Sequence, residues 1–212
     1  MSAHAQREKL KTRTSSKPTA PKAVVPEQSM VRRWRFSVAD FNAMIEAGVL
    51  KEDDRVELIE GEIVEMSPIG TAHSSCVKRL NALLAQRIAQ HAILSVQDPV
   101  QASGFSQPQP DIALLKYRAD FYAARHPLPK DILLVIEVAD STVVYDREVK
   151  MPLYARAKIA QAVLIDLSSQ VIEVYSRPVK GKYTRVQTLK RGDALTIHKL
   201  PDVELKVGEI LG

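Results

Sequence analysis

The spacing of apolar residues divides the chain, from about residue 34 onward, into alternating helices and strands. Between His73 and about Gln90 the apolar residues recur at helical spacing, which predicts an amphipathic helix that packs on a core. Ile132 to Ala139 is an almost unbroken apolar run, typical of a strand buried on both faces. A helix through about Lys158 and a second apolar run, Ala162 to Leu167, predict a strand-helix-strand crossover with a parallel strand pair.

Shorter elements complete the pattern. Ser37 and Asp40 have the spacing of a capping box, for a helix that Gly48 ends. Val56 to Met66 alternates apolar and charged residues around Glu60-Gly61, which predicts a hairpin with one solvated face. Further strands are predicted at Ile93 to Val96, Ile112 to Leu115, Val171 to Tyr175 and Tyr183 to Gln187. The predicted fold is α/β, a mixed central β-sheet flanked by helices.

Length and charge refine this organisation. With 212 residues, 45% of them hydrophobic, the chain suits one folded domain. Residues 1–30 hold six Lys/Arg against two Asp/Glu and few large apolar side chains, which predicts a disordered basic tail before a domain at 31–212. The remaining residues hold 24 Lys/Arg against 23 Asp/Glu, so a nucleic-acid function has to rest on a site and not on global charge.

Cysteine content and hydropathy limit the expected kinds of site and the expected cellular location. The single cysteine, Cys76, excludes an internal disulfide framework and a Cys-rich zinc site. No run approaches the roughly 18 consecutive apolar residues of a membrane helix, so no membrane partner is expected, and the reducing cytoplasm is the expected location. Cys76 and His73 lie three residues apart on the predicted helix, and a hydrolase using this pair is one alternative function.

Two carboxylates are the first candidates for chemistry. Glu137 ends an apolar strand, where an unpaired carboxylate is costly to desolvate, so a cation, a metal ion or exposure at the strand end must compensate it. Asp111 opens the preceding strand after Pro110, and neighbouring strands would bring both carboxylates to one sheet edge. Mg²⁺ prefers such oxygen ligands, and the backbone carbonyl of Val138 could add a third. The alternative for Asp111 is a turn-capping role.

The combination carries a family resemblance. Gln109-Pro110-Asp111, followed by Ile136-Glu137-Val138, resembles the PD-(D/E)XK nuclease signature, except that Ala139 stands where its lysine is usual. The segment Tyr145-Asp146-x-x-x-Lys150-x-x-x-Tyr154-Ala155 resembles the Uma-two family of inferred restriction endonucleases, in which the lysine comes from the following helix. The resemblance spans about residues 34 to 167. Its other motifs are Val56 to Ile63, the Met66-Ser67-Pro68 turn, His73 and Leu164-Ile165-Asp166.

This resemblance implies a restriction-endonuclease-like fold and metal-dependent hydrolysis of DNA phosphodiester bonds. Asp111, Glu137 and the Val138 carbonyl would hold Mg²⁺ or Mn²⁺, and Lys150 would orient or activate the attacking water. Glu57 and His73 join the site by the same resemblance. Their alternatives are an outward-facing hairpin charge for Glu57 and a helix-start histidine for His73.

The helix that carries Lys150 is constrained by Pro152. A proline is tolerated in the first turn of a helix, so the helix is predicted to start near Arg147 or Glu148, or to kink there. Either geometry brings Lys150 near Glu137, and Tyr154, four residues on, would share its face and bind the phosphate or orient the lysine. The alternative is a surface lysine paired with Asp146.

An alternative function has the same fold but no catalytic activity. It is a catalytically silent module of the nuclease fold that binds nucleic acid or protein. The near-neutral charge of residues 31–212 favours it, because weak DNA affinity is expected unless charges are segregated or a homodimer builds the cleft.

Overall fold

The structure is a computed structural model that describes residues 33–51, 53–88 and 90–212. The chain divides into the units Met1–Arg33 and Trp34–Gly212, and the second unit contains all the elements discussed below. The predicted tail at residues 1–30 lies outside the described residues, so its disorder and the domain boundary stay predictions.

Ten strands and five α-helices are described in the second unit. The strands are β1 (Val56–Ile59), β2 (Glu62–Glu65), β3 (Ala92–Val96), β4 (Ile112–Lys116), β5 (Ile132–Ala139), β6 (Gln161–Asp166), β7 (Val171–Val179), β8 (Lys182–Leu189), β9 (Ala194–Ile197) and β10 (Leu200–Lys206). The helices are α1 (Val38–Glu46), α2 (Thr71–Ile88), α3 (Val143–Tyr145), α4 (Met151–Arg156) and α5 (Val207–Leu211), with a 3₁₀ turn at Pro129–Asp131 and a π-helical turn at Asp146–Lys150.

A six-stranded mixed sheet forms the centre of the fold, in the order β3-β4-β5-β6-β7-β8. Only β5 and β6 are parallel, because the helical segment between them forms the predicted crossover, and the other neighbours are antiparallel. Every residue of β5 is buried, as its apolar run predicts. This arrangement confirms the predicted mixed α/β fold.

Two apolar layers cover the faces of the sheet. Helix α2 buries one side of its surface against alternate residues of β4 and β5, such as Ile112 and Ile136. Met151 and Tyr154 of α4 pack on the opposite face, against residues such as Val135. The two faces alternate along each strand, as the two-residue repeat of a β-strand requires.

The N-terminal elements follow the sequence prediction closely. Ser37 and Asp40 make the full capping box of α1, and Gly48, with a φ of 70°, follows its end. Strands β1 and β2 form the predicted hairpin, whose turn residues Glu60 and Gly61 have φ values of 52° and 86°. Positive φ at both positions is the geometry of a type I′ turn, which suits the twist of a hairpin.

The segment that carries Lys150 begins earlier than predicted. It starts at Val143 with α3, continues through the π-helical turn and ends with α4. The predicted start near Arg147 or Glu148 is therefore wrong, and at the position of the alternative, a kink, the structure has the π-helical turn. The N–H of Met151 bonds to the carbonyl of Asp146, five residues back. Pro152 has no N–H to donate to the residue four positions back, and the widened turn directly before it accommodates the proline without ending the helix.

The C-terminal elements close the α2 side of the core. Strands β9 and β10 form an antiparallel hairpin, and Leu195, Ile197 and Ile210 join the same apolar cluster as α2. The Arg79 guanidinium donates to the carbonyl oxygens of Ile210 and Leu211 at 2.9 and 2.7 Å, which ties α5 to α2. In the part of the chain that the structure describes, no helix is long and apolar enough to cross a membrane.

Candidate active site

Asp111 and Glu137 lie side by side on neighbouring strands. Ile112 of β4 pairs with Ile136 of β5 in antiparallel register, so the residue before β4 is placed beside Glu137, near the end of β5. Because side chains alternate along a strand, both carboxylates project from the face opposite to that of Ile112 and Ile136. The expected convergence of the two carboxylates at one sheet edge is therefore present.

Three groups contact the Asp111 carboxylate, and two of them are recorded hydrogen-bond donors. The backbone N–H of Val138 donates to its Oδ2 at 2.8 Å. On the other oxygen, Oδ1, the Nε2 of His73 lies at 3.0 Å and the side-chain amide of Gln97 donates at 3.2 Å. The histidine predicted by resemblance thus contacts the candidate metal ligand directly, from the first turn of α2.

Lys150 reaches the same place from the π-helical turn. Its Nζ lies 3.2 Å from Glu57 Oε2 and 3.4 Å from Glu137 Oε1, and the three side chains are only 7%, 3% and 3% exposed. The alternatives of a surface lysine and of an outward-facing charge at Glu57 are therefore wrong. Glu57 is further held by the backbone N–H of Gln109, which donates to its Oε2 at 3.1 Å.

Tyr154 supports Glu137 from beneath the site. It is fully buried, and its hydroxyl donates a short hydrogen bond to Glu137 Oε1. Tyr154 is not among the residues that line the cleft described below. The roles expected for Tyr154 are to bind the phosphate or to orient the lysine. Its hydroxyl bonds to Glu137, which contacts Lys150, so an effect on the lysine would pass through Glu137.

The buried charges of the site are unbalanced. Burial raises the pKa of Glu137 well above its ordinary value, and the nearby Asp146, Asp111 and Glu57 carboxylates add to the effect of burial, against the opposing effect of Lys150. Burial also raises the pKa of Asp146. For Lys150, burial lowers the pKa, but the carboxylates of Glu137, Glu57 and Asp146 outweigh it and the net pKa is raised. One ammonium group thus faces several carboxylates.

These groups line one cleft of about 830 Å³. Among the described residues, its permanently cationic lining residues are Arg55 and Lys150, while seven lining residues are acidic. The seven are Glu57, Glu65, Asp111, Glu137, Asp140, Asp146 and Glu148. The excess of negative charge favours a cation as a ligand of this cleft.

The donor set fits a hard divalent ion that keeps some of its water. Within residues 33–51, 53–88 and 90–212, no three His, Cys, Asp or Glu side chains form a ready-made metal cage. Mg²⁺, however, is usually held by one or two carboxylates together with water and substrate phosphates. Asp111 and Glu137 supply two carboxylates. The N–H of Val138 faces Asp111, and in an antiparallel pair the carbonyl of the same residue faces the same side.

Sequence reasoning missed the glutamine contacts of the site. Gln97 lies directly after β3 with a φ of 55°, and its backbone N–H donates to the Asp111 carbonyl at 3.0 Å. Its own carbonyl accepts a short hydrogen bond from the Gln109 side chain. Gln109 stood inside the quoted Gln-Pro-Asp motif, whereas only the position of Gln97 after an apolar strand could have indicated it.

The alternative function based on Cys76 is contradicted. Cys76 is fully buried in the α2 face of the core, with its Sγ 3.7 Å from the carbonyl oxygen of Ile210. Burial raises the pKa of the thiol to about 11. His73, its supposed partner, contacts Asp111 instead. A buried, protonated thiol is not a nucleophile.

Comparison with known proteins identifies the family and the fold. Residues 38–208 match the family Uma2, described as "Putative restriction endonuclease". The fold is similar to the crystal structure of "a putative nuclease belonging to DUF820" from Anabaena variabilis ATCC 29413, with a TM-score of 0.65, 15% sequence identity and coverage of 83% of this chain and 97% of that one. No curated protein matches the chain. Since the family match covers most of the chain, the protein belongs to the Uma2 family of restriction-endonuclease-like proteins.

Proposed function

We propose that the protein is a metal-dependent endonuclease that hydrolyses phosphodiester bonds in DNA. The observation that carries this proposal is the buried meeting of Lys150 with Glu57 and Glu137, next to Asp111, in one acidic cleft. Buried charges are costly to maintain for structure alone, and apolar residues of similar volume often replace them without loss of stability. Membership of the Uma2 family supports a nuclease function in general.

The metal ligands would be Asp111, Glu137 and the backbone carbonyl of Val138. When bound, Mg²⁺ or Mn²⁺ supplies a Lewis acid that polarises a phosphate oxygen. The protein holds the Asp111 carboxylate in place through His73, Gln97 and the Val138 N–H, so the ligand is oriented before the ion arrives. Such preorganisation lowers the cost of binding the ion.

Lys150 acts as a fixed positive charge. The surrounding carboxylates raise its pKa, so the ammonium group keeps its proton and does not serve as a general base. A protonated lysine can orient the attacking water by donating to it, and can stabilise the negative charge that develops on the phosphate. Glu57 and Tyr154 position this charge: Glu57 pairs with Lys150, and Tyr154 holds Glu137.

A plasmid-nicking assay tests the proposal. Supercoiled DNA is incubated with the protein and Mg²⁺ or Mn²⁺, with and without a chelator. Nicking by the parent protein should require the metal, and it should fall by at least about 100-fold in Asp111→Asn and Glu137→Gln. The control is Glu204→Gln, which removes an exposed carboxylate on β10 outside the cleft. Equal nicking by all four proteins would point to a contaminating nuclease.

The silent binding module remains the second candidate, since the cleft itself is acidic and repels a DNA backbone in the absence of a cation. It predicts DNA binding without metal-dependent cleavage. A cytoplasmic location and a homodimer that completes the DNA-binding surface are further expectations. Subcellular fractionation and the solution molecular mass test them.

A further inference from the structure

One tyrosine that lines the cleft has a buried hydroxyl group without a hydrogen-bond partner among the residues that the structure describes. Within the described residues, four buried side-chain polar atoms make no hydrogen bond: His73 Nδ1, Arg87 NH1, Gln107 Oε1 and the Tyr145 hydroxyl. Two of the four, those of His73 and Tyr145, belong to residues that line the candidate active site. A buried polar atom without a partner costs free energy, and such an atom at a functional site is available to bind a ligand.

Tyr145 stands at a distinctive point of the backbone. It is the last residue of α3, and the π-helical turn that carries Lys150 begins with the next residue. Single π-helical turns are rare and occur frequently at functional sites. The charges of Glu57, Lys150, Asp146 and Glu137 affect the pKa of the Tyr145 phenol. The phenol therefore lies near the groups that are proposed to act on the substrate.

The phenol remains a neutral hydrogen-bond donor under working conditions. Burial, followed by the charge of Glu57, raises its pKa to about 12. A deprotonated phenol would add another negative charge to a cleft that already holds seven acidic residues. In its protonated form the hydroxyl can donate one hydrogen bond to an anion without carrying a charge of its own.

Two neighbouring donors of the cleft, Lys150 and Thr142, already have partners. The Lys150 ammonium group contacts Glu57 and Glu137, and the Thr142 hydroxyl donates to Asp146 Oδ2 at 2.7 Å. Of the cationic lining residues, Arg55 is exposed and Lys150 is buried against two carboxylates, so the buried part of the cleft offers a phosphate oxygen few uncommitted donors. Unlike the Lys150 ammonium group and the Thr142 hydroxyl, the Tyr145 hydroxyl has no partner within the described part of the protein.

We infer that the Tyr145 hydroxyl donates a hydrogen bond to a non-bridging oxygen of the substrate phosphodiester and stabilises the charge that develops there during hydrolysis. This role makes Tyr145 a further catalytic residue, and it rests on the proposed nuclease function. The hydrogen bond forms to the bound phosphate in the ground state and strengthens as negative charge grows on the oxygen.

The test compares three tyrosine variants that each lose only a hydroxyl group. Tyr145→Phe removes the unpartnered hydroxyl, and Tyr154→Phe removes one that bonds to Glu137. Tyr117→Phe is the control, because Tyr117 is 56% exposed and lies outside the cleft. Tyr145→Phe should lower kcat for metal-dependent cleavage about 100-fold, the scale for one oxyanion donor, with an unchanged or higher melting temperature. Tyr154→Phe should lower the melting temperature, and Tyr117→Phe should change neither quantity.

A second measurement separates this inference from the proposed function. Binding of a short labelled DNA duplex is followed by fluorescence anisotropy, and Tyr145→Phe should raise Kd about tenfold relative to Tyr117→Phe. If the parent protein binds DNA but never cleaves it, a raised Kd in Tyr145→Phe would support the Tyr145 contact while rejecting the nuclease. Parental kcat and Kd in Tyr145→Phe would overturn the inference. A drop in melting temperature as large as that of Tyr154→Phe would also overturn it, since the hydroxyl would then have a structural partner.

Discussion

The ammonium nitrogen of Lys150 lies 3.2 Å from Oε2 of Glu57, and both side chains are almost completely buried. The contact joins the π-helical turn after β5 to the N-terminal hairpin, two segments 93 residues apart in the sequence. It also places a second carboxylate, beside Glu137, against the lysine. The position of the Lys150 ammonium group therefore depends on the hairpin as well as on the helical segment that carries it.

Lys150→Ala should lower both activity and stability. Without the ammonium group, Glu57 and Glu137 face each other with no cation between them, and breaking a buried ion pair in this way costs about 3 kcal/mol. Cleavage should fall by at least about 100-fold. Urea unfolding and the nicking assay measure the two effects. Lys116→Ala is the matched control, because Lys116 is exposed at the far end of β4 from Asp111, and parental behaviour is expected of it.

The ion pair itself can be isolated by a double-mutant cycle. Glu57→Gln and Lys150→Met are measured singly and together by urea unfolding. Because the two side chains are in direct contact, their effects should be non-additive by about 1–3 kcal/mol. Additive effects would show that the two groups do not interact in solution.

Gln97 offers a comparison of two small residues. Its φ of 55° favours glycine, so Gln97→Gly should be more stable than Gln97→Ala by about 1 kcal/mol. Both variants lose the amide that donates to Asp111 Oδ1, and they should therefore weaken Mn²⁺ binding to the same extent. Thermal unfolding gives the first quantity and calorimetry the second. Parental metal affinity in either variant would show that Gln97 does not help Asp111 to bind the metal.

Much of the fold could be predicted because its signals are local. The capping box of Ser37 and the hairpin turn at Glu60-Gly61 depend on neighbouring residues, and the apolar run of β5 marks a buried strand by itself. Asp111 and Glu137 could be paired because β4 and β5 are adjacent both in sequence and in the sheet.

The remaining features depend on contacts that local patterns do not encode. The burial of Glu57 against Lys150 requires the packing of the hairpin on the helical segment. The start of that segment was mispredicted because a π-helical turn, and not a new helix start, accommodates Pro152. The contact of Gln97 with Asp111 follows from the loop after β3, whose path was not predicted.

Cys76 should react as a buried thiol. With its pKa raised to about 11, very little thiolate forms at pH 8, and the side chain is inaccessible in the folded protein. Labelling by a thiol-specific disulfide reagent should be slow at pH 8, should accelerate as the pH approaches 11, and should become rapid in urea. Cys76→Ala should keep parental cleavage. Rapid labelling of the native protein, or loss of cleavage in Cys76→Ala, would contradict this account and support Cys76 as a nucleophile.

The central claim is that Asp111 and Glu137 share one divalent cation, and calorimetric titration with Mn²⁺ tests it most directly. The parent protein and Glu204→Gln should bind one equivalent with the same affinity, since Glu204 is exposed and lies outside the cleft. Asp111→Asn and Glu137→Gln should each bind Mn²⁺ at least about tenfold more weakly, because each loses one of two carboxylate ligands. Parental Mn²⁺ affinity in both variants would contradict the account.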